Sequence, residues 1–404
     1  MVSQRCCPTG VVNLAKHSTF WLGDKDLKLK VIKAEIILLG GLRVSHKGLK
    51  ISIILALVFG LGFITWVMAE QRVDYQIEEQ LEVGEGVLEE VNSVFEPAFM
   101  ELHRTGELSE RAEKLWEMMG GCRLCPRFCG INRIEGETGI CRAPGTQLYV
   151  ASATAHFGEE RPLVGWGGSG TIFFSHCALR CVFCINWDIS HRGSGGEISI
   201  EELADAMIEL QSRGVHNINL VTPNHYVAHI VKAIDIAAGN GLRLPIVFNT
   251  CGWVPLETLK LLDGIIDIYL PDFKFWSSEV ASRLAAGAES YPEVVKAAIL
   301  EMNRQVGIAT PGEDGVMTRG LMIRHLVMPN DTSGSLEVME WIAENLPKET
   351  YINIMSQYRP SFKAHEYQEI ARSVTPDEYR QVVERAKELG LTNLDIQGFG
   401  WLER

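Results

Sequence analysis

Cys177, Cys181 and Cys184 stand at C-x3-C-x2-C spacing in the run Ser-His-Cys-Ala-Leu-Arg-Cys-Val-Phe-Cys, residues 175 to 184. A four-iron four-sulfur cluster has four corners and this loop offers three thiolates. One iron would therefore keep an open position, as catalytic metals do and structural ones do not. A structural zinc site or a plain electron-transfer cluster is the alternative for cysteines this close together. The loop follows Gly170-Thr171-Ile172-Phe173-Phe174-Ser175, an apolar, β-prone run opened by the glycine-rich Gly167-Gly168-Ser169-Gly170. Cysteines at the C-terminal end of such a strand sit where a β/α architecture places its chemistry.

A second set, Cys122, Cys125, Cys129 and Cys141, supplies four thiolates, enough to close a site. Its spacing leaves two readings open, a structural zinc or an auxiliary iron-sulfur cluster that relays electrons. Cys6, Cys7 and Cys251 stand outside both sets. His225 and His229 lie four apart on an expected helix but lack the glutamate of a zincin motif, so they read as satisfied or exposed histidines. His176, beside Cys177, reads as a polar neighbour that could tune a cluster. The sequence holds no phosphate-binding P-loop, nucleophile elbow or Rossmann glycine fingerprint.

Alternating strand and helix patterns must position these residues. Ser199-Ile200-Glu201-Glu202 has the form of a capping box and opens a helix to about Arg213. Strands are expected over His216 to Thr222, Leu244 to Thr250, Ile265 to Asp272, Leu321 to Met328 and Tyr351 to Gln357. Helical patterns cover Tyr226 to Ala238, Val294 to Val306, Glu337 to Asn345 and Pro376 to Leu389. About six βα units in series imply an α/β fold of parallel strands joined by right-handed crossovers. Gly195-Gly196-Glu197 reads as a turn ahead of the first helix.

The chain has 404 residues, 46% of them hydrophobic, and a net charge of −13. The first fifty residues hold nine Lys/Arg against three Asp/Glu, which leaves −19 on the remainder. That balance excludes non-specific nucleic-acid binding by the main body. Cysteines gathered at metal-ligand spacing argue for reduced thiols rather than a disulfide framework. Ile51 to Ala69, nineteen residues without a charge, is long enough to span a bilayer and is expected to be a single-pass membrane anchor. A cleavable signal peptide ending at Val67-Met68-Ala69 is the rival reading. Charge asymmetry across the apolar run favours a domain outside the cytoplasm, whereas oxygen-sensitive chemistry favours a cytoplasm-facing one, which is the expectation adopted.

The cysteine loop is the signature of radical S-adenosylmethionine (SAM) proteins, which the chain resembles. Further motifs resemble the pyruvate formate-lyase-activating-enzyme-like branch: Cys-Pro-Arg-Phe-Cys-Gly (125 to 130), His156-Phe157-Gly158-Glu159-Glu160, Pro162-Leu163-Val164-Gly165, Asn217 to Pro223, Tyr269 to Lys274 and Ile323 to Val327. The resemblance covers about residues 97 to 395. The basic segment (1–50) and transmembrane helix (51–69) are not part of it; an acidic helical linker (70–118) and a Cys-rich metal module (119–165) follow, and the resemblance implies a partial (β/α)6 barrel of radical SAM type (166–395).

The resemblance also implies roles. Cys177, Cys181 and Cys184 would hold a four-iron four-sulfur cluster whose open iron binds SAM. One electron would release a 5'-deoxyadenosyl radical that abstracts hydrogen. Phe183 would lie near the adenine. Relatives end the second strand in Gly-Gly-Glu to receive the SAM amino group, but here it ends Val221-Thr222-Pro223-Asn224, so Thr222 and backbone carbonyls must serve. Asp272 and Lys274, on one side of the fourth strand, would hold the ribose or methionine end. Arg324 would meet the SAM carboxylate. Asn249-Thr250 replaces an acidic residue of a cation site in the activating enzymes. The implied partners are a low-potential electron donor such as flavodoxin or ferredoxin, and a glycyl-radical enzyme as protein substrate. Modification of another peptide or small molecule, or electron carriage without SAM turnover, are the alternatives.

Overall fold

The structure, a computed structural model, describes residues 95–309, 311–312 and 314–396. The chain divides into two units, Met1–Ser93 and Val94–Arg404, the first of which lies outside the described residues. The basic segment, Ile51 to Ala69 and most of the acidic linker fall in that part. Among the described residues no helix is long and apolar enough to cross a membrane. The longest, Tyr291–Val306, has 16 residues, short of the roughly 20 a bilayer needs. The expectation of a membrane-anchored protein is corrected on that finding.

Helices Phe99–Thr105 and Glu107–Glu117 lead into the Cys-rich segment. The strands are β1 (Leu148–His156), β2 (Ser169–Phe174), β3 (Gly196–Ile198), β4 (Ile218–Val221), β5 (Ile246–Thr250), β6 (Ile268–Pro271), β7 (Gly320–Leu326), β8 (Tyr351–Met355) and β9 (Leu394–Ile396). They form one mixed sheet in the order β3-β1-β2-β4-β5-β6-β7-β8-β9. β1 runs antiparallel to β2 and β3, while neighbours from β2 through β9 are parallel. Gly196–Ile198 is thus an edge strand on β1, not the expected turn.

Each parallel strand is followed by helix before the next, as the alternating pattern required. Ser199 caps helix Ile200–Ser212 through the expected capping box, and Thr375 does the same for Pro376–Glu388. The chain enters β2 through glycines because there is no room for a side chain: a Cβ at Gly167 would sit 2.0 Å from the Gly214 carbonyl oxygen.

Strand residues alternate between two cores. Ile246, Phe248, Tyr269, Leu321, Ile323 and Ile352 face the helices in the main core. Val247, Ile268, Leu270, Met322 and Tyr351 belong instead to a small second core with Leu163, Ala309 and Met317. The Met317 amide donates to the Pro162 carbonyl at 2.7 Å, closing that core from two loops. The remaining inward positions are polar: Asn219, Asn249, Arg324 and Asn353. Their side chains are what the parallel strands bring together.

Candidate functional site

The cysteine loop leaves β2 under tight backbone control. Ser175 donates its amide to the Tyr149 carbonyl at 3.0 Å and its hydroxyl to the Ser194 carbonyl at 2.8 Å. His176 and Arg180, each immediately before a cysteine, hold left-handed φ angles of 71° and 53°. Such angles cost an ordinary residue free energy and persist only where surroundings fix them. A Cβ at Gly193 would lie 2.3 Å from His176 Cε1, so that glycine makes room for the imidazole. Burial pushes the Cys177 thiol up, opposed by amide hydrogen bonds from Arg180 and Leu179 and by the charge of Lys274. Burial likewise raises Cys181, again opposed by Lys274. Ser190 donates its hydroxyl to the Cys184 sulfur at 3.1 Å.

Three charged side chains meet beside this loop. Asp272 lies 2.7 Å from Lys274 Nζ and accepts from Arg324 Nε at 2.8 Å. Burial alone would raise the Asp272 carboxyl, but Arg324 and Lys274 outweigh it and hold the group below its usual range. For Lys274, Asp272 and then Cys181 overcome burial and keep the ammonium charged. Two cations, Lys274 and Arg324, share Asp272 next to the cysteines. Arg324 also donates to Asn249 Oδ1 at 2.6 Å. The position where relatives carry an acidic cation ligand is therefore occupied by a hydrogen bond to arginine.

Below this layer lie two carboxylates that the sequence reading did not place in the site. Glu159 accepts from Asn219 at 3.3 Å and Asn249 at 3.4 Å. Glu160, 4% exposed, accepts from Asn353 at 3.0 Å and lies 3.9 Å from Arg324 Nη1. Burial raises the Glu160 carboxyl against the pull of Arg324. Isolated asparagines in otherwise apolar strands were the available signal for this interior.

Cys251, outside both sets in the sequence, ends β5 next to the site. Burial raises its thiol to about 12, with Cys177 adding to the shift and the Trp253 amide opposing it. The buried Tyr291 hydroxyl accepts from the Lys274 amide at 2.8 Å and lies 2.9 and 2.8 Å from the carbonyls of Cys251 and Asp272. It ties the ends of β5 and β6 together.

The remaining expected residues divide. Thr222 ends β4 in a left-handed conformation, φ 62°, with its amide donated to the Asn249 carbonyl at 2.9 Å. Phe183 is 5% exposed and its ring meets Phe275 and Tyr358 edge-on, both with centroids 5.9 Å away. His225 and His229 bond the carbonyls of Ser175 and Thr146, each at 2.8 Å. Burial lowers them to about 3 and about 4, so both are neutral structural groups.

The second cysteine set forms a loop closed on itself. The Cys122 amide donates to the Ile131 carbonyl at 2.8 Å, and the Gly130 amide donates to the Cys122 carbonyl at 3.1 Å. Cys122, Cys125 and Cys141 are buried. Among the described residues no three His, Cys, Asp or Glu side chains form a group that could hold a metal ion.

Three thiolates around a left-handed loop, amide and hydroxyl donors aimed at sulfur, and the adjacent cations Lys274 and Arg324 fit a cluster with one open iron and an amino-acid ligand bearing a carboxylate. Comparison with known proteins agrees on the family. The Radical SAM superfamily model matches residues 171–313. An uncharacterized protein of Methanocaldococcus jannaschii is 31% identical over 341 residues, covering 82% of this chain and 92% of the relative. Among solved structures, a radical SAM methyltransferase from Sphaerobacter thermophilus aligns with TM-score 0.37 and 13% identity, over 56% of this chain and 65% of that one. Methylornithine synthase aligns with TM-score 0.37 and 15% identity, over 55% and 68%. The family match contains the whole cysteine loop, Thr222, Cys251 and the Asp272–Lys274 pair, and the chain belongs to the radical SAM superfamily.

Proposed function

We propose that this chain is a SAM-cleaving radical enzyme of the activating-enzyme type, built on a partial (β/α)6 barrel formed by β2 and β4 through β8. The carrying observation is the meeting of the Cys177 loop with the Lys274–Asp272–Arg324 triad at the C-terminal ends of parallel strands, where α/β folds bind their ligands. When bound, a four-iron four-sulfur cluster and SAM supply a 5'-deoxyadenosyl radical for hydrogen abstraction. Cys177, Cys181 and Cys184 would hold the cluster. Lys274 lowers the cost of keeping their buried thiols ionised.

Arg324 and Lys274 supply the charge that a SAM carboxylate requires, and Asp272 fixes their directions. Thr222, held in a left-handed conformation after β4, would offer its hydroxyl and neighbouring carbonyls to the SAM amino group. Tyr291 keeps two strand ends in register so that these groups stay preorganised. The motifs shared with activating enzymes support a backbone glycine of a partner enzyme as the hydrogen source. The Cys122 set would hold a structural zinc or an auxiliary iron-sulfur cluster. A reduced flavodoxin or ferredoxin would supply the electron.

Electron paramagnetic resonance of the reduced, reconstituted chain tests this reading. Added SAM is expected to alter the signal of the Cys177 cluster. A spectrum unchanged at saturating SAM would contradict it and favour a plain electron carrier.

A further inference from the structure

We propose that the strand interior beneath the triad is a binding site for a primary ammonium group, with Glu159 and Glu160 as its anions and Asn219 and Asn353 as its other acceptors. Its floor comes from one short, well-anchored segment. β1 ends at His156, paired with Ser169 at the start of β2, so the residues that follow pass under the parallel strands at their N-terminal ends. There Asn217 Nδ2 donates to the Leu163 carbonyl at 2.8 Å, and the Met317 amide donates to the Pro162 carbonyl at 2.7 Å. Leu163 is itself buried in the small second core. Anchors just past Glu159 and Glu160 hold both carboxylates in place. Glu159 meets Asn219 of β4 and Asn249 of β5, while Glu160 meets Asn353 of β8 and lies near Arg324 of β7. Four strands thus converge on one acidic pair.

The second observation is a set of buried acceptors aimed into this interior. Glu160 Oε2, Asn219 Oδ1 and Asn353 Oδ1 have no donor among the described residues. Their residues are 4%, 0% and 2% exposed. Asn353 gives its amide N–H to Glu160, and Asn219 gives its own to Glu159 and to Ser169 Oγ. A carboxylate accepts only, so each amide must turn its nitrogen to the glutamate and its oxygen away. Buried acceptors without donors are costly and uncommon. A primary ammonium carries three N–H donors and no acceptor, which matches three such oxygens.

The charges agree. Asp272, Glu159 and Glu160 face two fixed cations, Lys274 and Arg324, and both make their close contacts with Asp272. Arg324 Nη1 stays 3.9 Å from Glu160. The other basic group, His156 at 3.2 Å from Glu159, bears no fixed charge. One added positive charge balances the network. Burial and the nearby Glu159 raise the Glu160 carboxyl, and a cation beside it would favour the ionised form. Water would satisfy the oxygens and leave the charge, whereas a divalent metal ion would set two charges beside Arg324.

The ammonium belongs either to SAM, whose methionine end carries one, or to the molecule that gives up its hydrogen. The choice between these sources rests on the function proposed above; the site does not.

Thermal unfolding of the reconstituted full chain in methylammonium chloride tests the site, beside potassium chloride and tetramethylammonium chloride at equal ionic strength. Methylammonium should raise Tm saturably by a few degrees. The other two cations should not, and Glu160→Gln should abolish the rise. Equal effects of the three salts on the native chain would overturn the proposal, and this contrast decides even if Glu160→Gln fails to fold. A rise retained in a folded Glu160→Gln chain would also overturn it. Repeating the series at saturating SAM separates the sources. A rise that persists assigns the ammonium to the hydrogen donor, and one that disappears assigns it to SAM. A methylammonium-specific rise in a chain that leaves SAM intact would keep this site and remove the function proposed above.

Discussion

The two cysteine sets use the same sulfur chemistry and differ in what surrounds it. The loop after β2 offers three thiolates and borders the cations Lys274 and Arg324 and the carboxylate Asp272. The Cys122 set offers four, closes on itself through backbone hydrogen bonds and lies against one buried guanidinium. A missing ligand beside two cations makes a place for an anionic substrate group, whereas four thiolates are enough to close a site. Ligand count and neighbouring charge, more than cysteine spacing, separate the two.

The sharpest way to break the comparison is to remove one thiolate from each set. Cys181→Ala should abolish 5'-deoxyadenosine formation, while Cys125→Ala should leave dithionite-driven formation measurable by chromatography. Loss in both would erase the distinction.

Acid should loosen the fold at its buried histidines, His325 beside the triad among them. His325 bonds the Phe273 carbonyl at 2.7 Å and Ser335 Oγ at 2.8 Å. Burial, against the hydrogen bond to the Phe273 carbonyl, lowers it from 6.5 to about 4. Below pH 6.5 the unfolded chain takes up a proton that the folded one refuses, so stability should fall as pH drops from 6.5 toward 4. This group contributes at most about 3 kcal/mol to that fall, read from denaturation midpoints across the window. A His325→Gln chain with an identical pH profile would contradict this.

Arg324→Met should weaken SAM binding about a hundredfold, roughly 2.7 kcal/mol, with iron content unchanged. Titration calorimetry that finds the native affinity would remove Arg324 from the site. Tyr291→Phe leaves three backbone groups short of one partner and should cost about 1 to 2 kcal/mol. The loss should be visible as a lower Tm with both metal sites filled.

Much of this was legible in the sequence because it is local. The cysteine spacing, the capping box at Ser199 and the apolar runs of β2 and β4 through β8 each depend on a few adjacent residues, and the strands fell within or close to their expected bounds. What was hidden depends on register. Asp272 meets Arg324 only because β6 and β7 pair in parallel, across 52 residues of chain. Cys251 joins the catalytic set only because β5 ends at the same level. Glu159 and Glu160 stood out only as part of a family motif, since nothing local shows that their side chains meet the strand asparagines. Phe183 was expected near adenine, and its packing against Phe275 and Tyr358 comes from segments far along the chain. β1 and β3 escaped notice because they pair antiparallel outside the βα rhythm.

The central claim is that the Cys177 loop and its charged triad bind and cleave SAM. The most direct measurement is 5'-deoxyadenosine released from SAM by the reconstituted, reduced full chain, beside its Cys177/Cys181/Cys184→Ala counterpart. Release that disappears in the substituted chain is the result predicted; intact SAM over a fully assembled and reduced cluster, with partner enzyme supplied, would contradict it.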